Sequence, residues 1–337
     1  MTAQSLLSIA IPFITILFLL LVGAGMRRWS LVTPDGARQM TGLVLNVSLP
    51  ALIFVTLASE VTAQELSQAP LLAAMGVVGT LLGYAVAAAI GRLPLFGARQ
   101  RTTFYTAVAV VNTAFIGYPL CESLLGSRGL LYAVLYDVGL TAVMSSFSIW
   151  VLSRGRDDEA DGDSGSVRSS GAWRALLRSP MMWSLIAGVV WGGLGWPTPE
   201  WFLRPLGTLG QVTTPLALLT VGMLVQFPQT GLRVPGDARR GSASLRHTSL
   251  RWPLAFLSAA RLIITPALMW GLVSWLKLEG TVAAVIVLQA AVPSAVVSTA
   301  MAEQYGGDSA FAAAGVVTTT VLSLLTLPAW SWIVLAS

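Results

Sequence analysis

Two short stretches of this chain set amides, hydroxyls and a proline inside otherwise apolar runs. The first holds Asn112, Thr113, Gly117 and Pro119; the second holds Gln289, Pro293, Ser294 and Ser298. Proline has no N–H and frees the carbonyl four residues before it, so each stretch reads as a helix broken near its middle. The second half of a broken helix presents free N–H groups at the positive end of its dipole, which suits an anion. Side-chain amides and hydroxyls beside that end add neutral donors. The chemistry is therefore recognition, with Asn112, Thr113, Gln289, Pro293 and Ser294 as candidate ligands. A proline kink that merely packs explains one such stretch; two at corresponding places favour a binding site. Ser48 with Pro50, and Thr213 and Thr214 with Pro215, either line the same cavity or bond within their own helices.

Catalysis fits poorly. A lone Cys121 and a lone His247 exclude an intramolecular disulfide, a Cys/His metal cluster and a histidine-based triad within the apolar runs. No nucleophile–base pair is visible, so neither an enzyme nor a metal or organic cofactor is expected. Two ionisable residues do lie inside apolar runs: Asp137, within Leu135-Tyr136-Asp137-Val138-Gly139, and Arg261, shortly before Thr265-Pro266. A charge at the centre of a bilayer costs roughly 2.5–3.5 kcal/mol on the insertion scale, so each needs a partner or water. Asp137 is placed either to carry a coupling ion (H+ or Na+) or to brace its neighbours. Arg261 either snorkels to the interface or meets the anion.

The elements that would position these residues are membrane helices. The chain has 337 residues, 55% hydrophobic and 10% charged, with a mean hydropathy of +0.74. Soluble domains carry about a quarter charged residues, so this chain cannot cover a water-facing surface of its size. A pI near 9.9 invites a nucleic-acid reading. The basic residues, however, sit in short loops between apolar runs, which is the membrane pattern. About 20 apolar residues span the hydrocarbon. Runs near 5–25, 41–59, 69–90, 103–124, 129–152, 180–196, 206–226, 253–275, 281–301 and 309–335 give ten spans. The first is followed by Arg27 and Arg28 with no small-residue cleavage site, and reads as a retained span. Residues 153–172, rich in Asp, Gly, Ser and Arg, read as a hydrophilic linker, and 227–251 as a second polar loop that holds His247.

Charge asymmetry sets orientation. With alternate loops on one side, all but four of the 20 Lys and Arg residues collect there. The other side holds Arg128, Arg204 and Lys277, and Arg261 lies within a span. The basic side is cytoplasmic, so both termini lie outside a multi-pass protein of the inner (plasma) membrane. Five spans in 1–152 and five in 173–337 place the two halves in opposite orientations. Asn46-Val47-Ser48-Leu49-Pro50 is echoed by Gln211-Val212-Thr213-Thr214-Pro215. Asn112-Thr113-Ala114 leads to Glu122 and Gly126 as Pro293-Ser294-Ala295 leads to Glu303 and Gly307. The expected fold is an all-α membrane protein of ten helices, built as two inverted five-helix repeats with broken helices four and nine.

Several of these segments together resemble the auxin efflux carrier family, which includes plant auxin exporters and bacterial malonate and malate permeases. They are Asn112-Thr113-Ala114-Phe115-Ile116-Gly117-Tyr118-Pro119-Leu120; Asn46-Val47-Ser48-Leu49-Pro50-Ala51-Leu52; Arg178-Ser179-Pro180; Thr214-Pro215 through Gly222-Met223; Arg261 with Pro266; Gln289-Ala290-Ala291-Val292-Pro293; and Glu303-Gln304-Tyr305-Gly306-Gly307-Asp308. The resemblance runs almost end to end and falters in the central linker and in the loop before the eighth span. It implies a scaffold made of spans 1, 2, 6 and 7 and a transport domain made of spans 3–5 and 8–10. It also implies crossing broken helices, an elevator-like motion and a homodimer. Asn112 matches the family's crossover asparagine, expected to bond a substrate carboxylate. The expected activity is carriage of a small organic anion such as malonate, malate or an auxin-like acid. A sodium-coupled symporter of the bile-acid type shares the architecture and is the alternative.

Overall fold

The computed structural model describes residues 3–157, 179–224 and 247–336. Among these residues the chain is helical, with no strand longer than a single bridge. Helix α1 is Ala3–Arg28; α2 (Pro34–Leu43) and α3 (Leu49–Glu60) are joined by a π-helical turn, Val44–Ser48. α4 is Ala63–Ile90 and α5 is Ala98–Ala109. The π turn Thr113–Gly117 leads into α6 (Tyr118–Val143), and the π turn Met144–Ser148 leads into α7 (Ile149–Asp157). α8 is Pro180–Gly193, α9 Glu200–Gln211 and α10 Thr213–Leu224. α11 (His247–Ala259) passes through the π turn Ala260–Ile264 into α12 (Thr265–Trp275). α13 (Gly280–Ala291), α14 (Val297–Tyr305) and α15 (Ser309–Ala336) complete the chain.

Seven helical runs are long and apolar enough to cross a membrane, and Pro180–Gly193 and Gly280–Ala291 are shorter apolar helices. One of the seven, Thr113–Ser153, covers 41 residues, but Gly126 inside it has φ 69°, which turns the chain between two helical segments.

Three of the four π turns end two residues before a proline: Ser48 before Pro50, Gly117 before Pro119, and Ile264 before Pro266. The missing N–H at each proline loosens the ladder, and the extra residue in the π turn absorbs the mismatch. At Pro266 the freed carbonyl belongs to Leu262, and the Trp330 indole N–H donates to it at 2.9 Å.

Local capping explains two early helix starts. Thr33 accepts a hydrogen bond from Gly36 N at 3.1 Å ahead of Pro34, and Thr62 accepts from Glu65 N at 3.3 Å. Both helices therefore begin before the apolar run that marked the span. The expected polar loop at 227–251 ends sooner than composition implied, because α11 already starts at His247. Leu250, Leu254, Phe256 and Leu257 supply the apolar face that packs on Phe96, Phe104 and Phe311. Residues 227–246 of that loop, and most of the 153–172 linker, lie outside the described residues.

Two sets of helices pack internally. α1 lies along α10, and α3 lies against α8 and α9. α4, α5, α6, α7, α12, α13, α14 and α15 pack on one another around α6 and α13. Small residues set these approaches, as they do between helices in lipid. A Cβ on Gly139 would collide with the Ala73 carbonyl oxygen, and one on Gly76 with that of Tyr136, so α4 and α6 meet backbone to backbone. Gly139→Ala is expected to force the pair apart at a cost of about 1–3 kcal/mol. Gly193→Ala, which adds a methyl group in open space, is the control. Thermal melting of the two purified variants distinguishes them, and equal Tm values would contradict the close approach.

Candidate functional site

The helical path is interrupted at two places that meet. α5 stops at Ala109, and Val110 is extended (φ −91°, ψ 119°). Asn112 (φ −85°, ψ 63°) is the centre of an inverse γ-turn, with Thr113 N donating to Val111 O at 3.0 Å. α13 stops at Ala291, and Val292 is extended (φ −64°, ψ 153°) because Pro293 follows it. The two extended pieces pair as an antiparallel bridge between Val111 and Ser294. Asn112 N donates to Pro293 O at 2.9 Å, and Ala295 N donates to Val110 O at 3.1 Å. Each interruption gives the other one donor and one acceptor.

Helix ends leave carbonyls without intrahelical partners, and several here find one across the bridge. Ala107 O accepts the Ser294 hydroxyl at 2.6 Å, and Thr319 Oγ1 accepts Ser294 N at 3.2 Å. Three further carbonyls turn to Arg261. Its Nε donates to Val292 O at 2.9 Å, its Nη1 to Val108 O at 3.0 Å, and its Nη2 to Ala290 O. Arg261 is 1% exposed, so the snorkelling option open to it is not taken: the guanidinium turns inward to the bridge between the two interruptions. No carboxylate pairs with it among the described residues.

Asp137 lies on the other side of the first interruption. Thr113 Oγ1 donates to its Oδ1 at 2.8 Å and Tyr118 OH to its Oδ2 at 2.7 Å. Both donors belong to the first turns after the break, so the carboxylate stands beside the positive end of that half-helix. Tyr118 carried no sequence signal as a partner, because its separation of 19 residues from Asp137 follows no helical period.

The other candidate residues divide into partnered and unpartnered. Thr214 Oγ1 donates to Glu122 Oε2 at 2.9 Å. Glu122 thereby joins the turns after the first interruption to α10. Among the candidate residues, the buried atoms with no hydrogen-bond partner are Asn112 Nδ2, both carboxamide atoms of Gln289, Ser48 Oγ and Thr213 Oγ1. The elements that carry them adjoin. The turn Thr113–Gly117 packs on α10 and α13, and Val44–Ser48 packs on α10. The Gln289 carboxamide lies directly over Gly117, where a Cβ would collide with Oε1. Among the described residues no cluster of three or more His, Cys, Asp or Glu is arranged to hold a metal ion.

Residues 8–331 match the sequence pattern that defines the membrane transport protein family. This chain belongs to that family. Among its membrane transport protein relatives is an uncharacterised transporter of Methanothermobacter thermautotrophicus, 27% identical over 323 residues, or 94% of this chain and 96% of that one. An uncharacterised transporter of Methanocaldococcus jannaschii is 22% identical over 327 residues, covering 95% and 97% of the two chains. Auxin efflux carrier component 8 of Arabidopsis thaliana is 24% identical over 163 residues, 47% of this chain and 40% of the plant protein. The auxin efflux carrier resemblance that the motifs carried is thus a family relationship.

Proposed function

We propose that this membrane transport protein is a secondary carrier of small organic anions, with mono- and dicarboxylates as its substrate class. The observation that carries the reading is the pair of buried, unpartnered amide donors, Asn112 Nδ2 and Gln289 Nε2, beside the crossing. A buried donor left unmade costs about 1–3 kcal/mol, and its retention is accounted for by a partner that comes and goes. A carboxylate is acceptor-only and matches such donors. Free N–H groups in the first turns after each break add a positive field. Ser48 and Thr213 supply hydroxyls at the rim of the same place, Pro293 shapes the second break, and Ser294, whose hydroxyl is already bonded, holds the crossing together.

The reciprocal bridge supports two inverted repeats, in which α5 with the turns after it is helix four and α13 with α14 is helix nine of a ten-span plan. The two packing groups support a scaffold of α1–α3 and α8–α10 against which the rest slides. Among the described residues, Thr214–Glu122 and Ser127–Glu60, the latter at 2.8 Å, are side-chain hydrogen bonds between the two groups. An inside-negative potential of 100 mV favours outward movement of anions by about 2.3 kcal/mol per charge.

Thermal-shift titration of the purified protein tests the substrate class. Malonate, malate and an aromatic monocarboxylate, each at two pH values, are expected to raise Tm in a saturable way, and matched amines are not. Stabilisation by amines alone would rule out the anion reading.

A further inference from the structure

The guanidinium of Arg261 does at the crossing what a bound metal ion does in other broken-helix sites. Carbonyls of unwound backbone and of half-helix C-termini are a coordination shell for a cation. Here that shell consists of Val108 O from the end of α5 and Ala290 O and Val292 O from the end of α13. Each helix C-terminus carries roughly half a negative charge, so two of them meeting call for about one positive charge. Arg261 brings that charge, and its three nitrogens each take a different carbonyl, which a planar fork can do and a spherical ion does by coordination.

The charge is also fixed in place. Arg261 sits in the π turn Ala260–Ile264, whose carbonyls are held by Thr265 Oγ1 on Ala260 O at 2.8 Å and by the Trp330 indole on Leu262 O. The space beside the guanidinium, lined by Gly79, Thr80, Tyr136 and Thr265, has no volume that a water molecule can enter. A hydrated or partly hydrated metal ion therefore has no room while the side chain is there.

We propose that Arg261 is a tethered cation occupying the position an alkali-metal ion would take between the two helix C-termini, so that the crossing assembles without sodium or potassium. The idea deepens the carrier reading and rests on it only for the consequence that no metal ion is exchanged between these two helix ends in a transport cycle. A coupling ion then binds elsewhere.

The test uses purified protein without any carboxylate, so its outcome is independent of the substrate class. Tm is measured in N-methylglucamine chloride and in sodium, potassium and guanidinium chlorides at equal ionic strength. The parent protein is expected to melt at the same temperature in the first three and no higher in guanidinium, which is a denaturant. Arg261→Ala is expected to melt lower in N-methylglucamine and to recover in part, saturably, with sodium or guanidinium. Arg261→Lys, which keeps the charge with fewer donors, is expected to fall between them and to ignore the choice of cation. A parent protein stabilised selectively by sodium overturns the proposal, as does an Arg261→Ala protein that melts lower and responds to no cation. If Arg261→Ala does not fold, the parent and Arg261→Lys decide: indifference to sodium in both supports the tethered cation, and sodium stabilisation of either overturns it.

Discussion

An Asn112→Leu protein is expected to bind carboxylates roughly 10- to 100-fold more weakly, the loss of a hydrogen bond to a charged group. It is also expected to melt no lower than its parent when empty. The two results together separate a ligand from a structural amide. In the empty protein Asn112 Nδ2 is buried and bonds nothing, so an apolar side chain of similar shape removes a desolvated donor at no cost in contacts. The backbone at Asn112 does the structural work, through its N–H to Pro293 O and the inverse γ-turn, and leucine keeps both. Isothermal titration with malonate or malate and melting of the empty protein are the two measurements. A variant that melts well below its parent would mean that the amide serves the fold. Gln289→Leu is expected to behave likewise, and the double variant to lose little more than either, because both amides serve one ligand.

The sequence pointed to the two interruptions through prolines that fall beside amides and hydroxyls, whereas Pro12, Pro70 and Pro328 lie inside helices that continue. It also marked Asn112, Gln289, Ser48 and Thr213, four polar groups that the fold leaves without partners. What it did not carry was direction. Arg261 stood before a proline with snorkelling and substrate contact both open, and neither follows from spacing. Its actual role depends on carbonyls from two other helices, 29 to 153 residues away along the chain. The same holds for Tyr118 with Asp137 and for Thr214 with Glu122, a separation of 92 residues. Periodicity reports which face of a helix is polar; it does not report which helix end arrives beside that face. Helix starts differ from the starts of the apolar runs for a simpler reason. Apolar runs define where lipid begins, whereas caps such as Thr33 and Thr62 define where hydrogen bonding begins, and the two differ by several residues.

Proteoliposomes carrying Asp137→Asn are expected to lose carboxylate accumulation driven by a pH gradient, by tenfold or more, while keeping exchange of labelled for unlabelled substrate. Inward movement of an anion against 100 mV opposes a roughly fifty-fold gradient, so uptake needs a co-transported cation. Of the two buried acids among the described residues, Glu65 is paired with Arg128, which leaves Asp137 to take up a proton. Its two partners make the coupling local. Thr113 and Tyr118 both donate to the carboxylate, and protonation makes one oxygen a donor and a weaker acceptor, so the bond to that oxygen weakens or reverses. Thr113 adjoins Asn112, and that rearrangement reaches the proposed anion donors through a single peptide. Asparagine keeps one acceptor oxygen for Thr113 and holds the turn, which is why exchange should survive. It offers Tyr118 an NH2 in place of an oxygen and cannot cycle a proton. Accumulation that still follows the pH gradient in Asp137→Asn would place the proton elsewhere. Loss of exchange along with accumulation would make Asp137 a brace for the broken helix rather than the site where the driving ion binds.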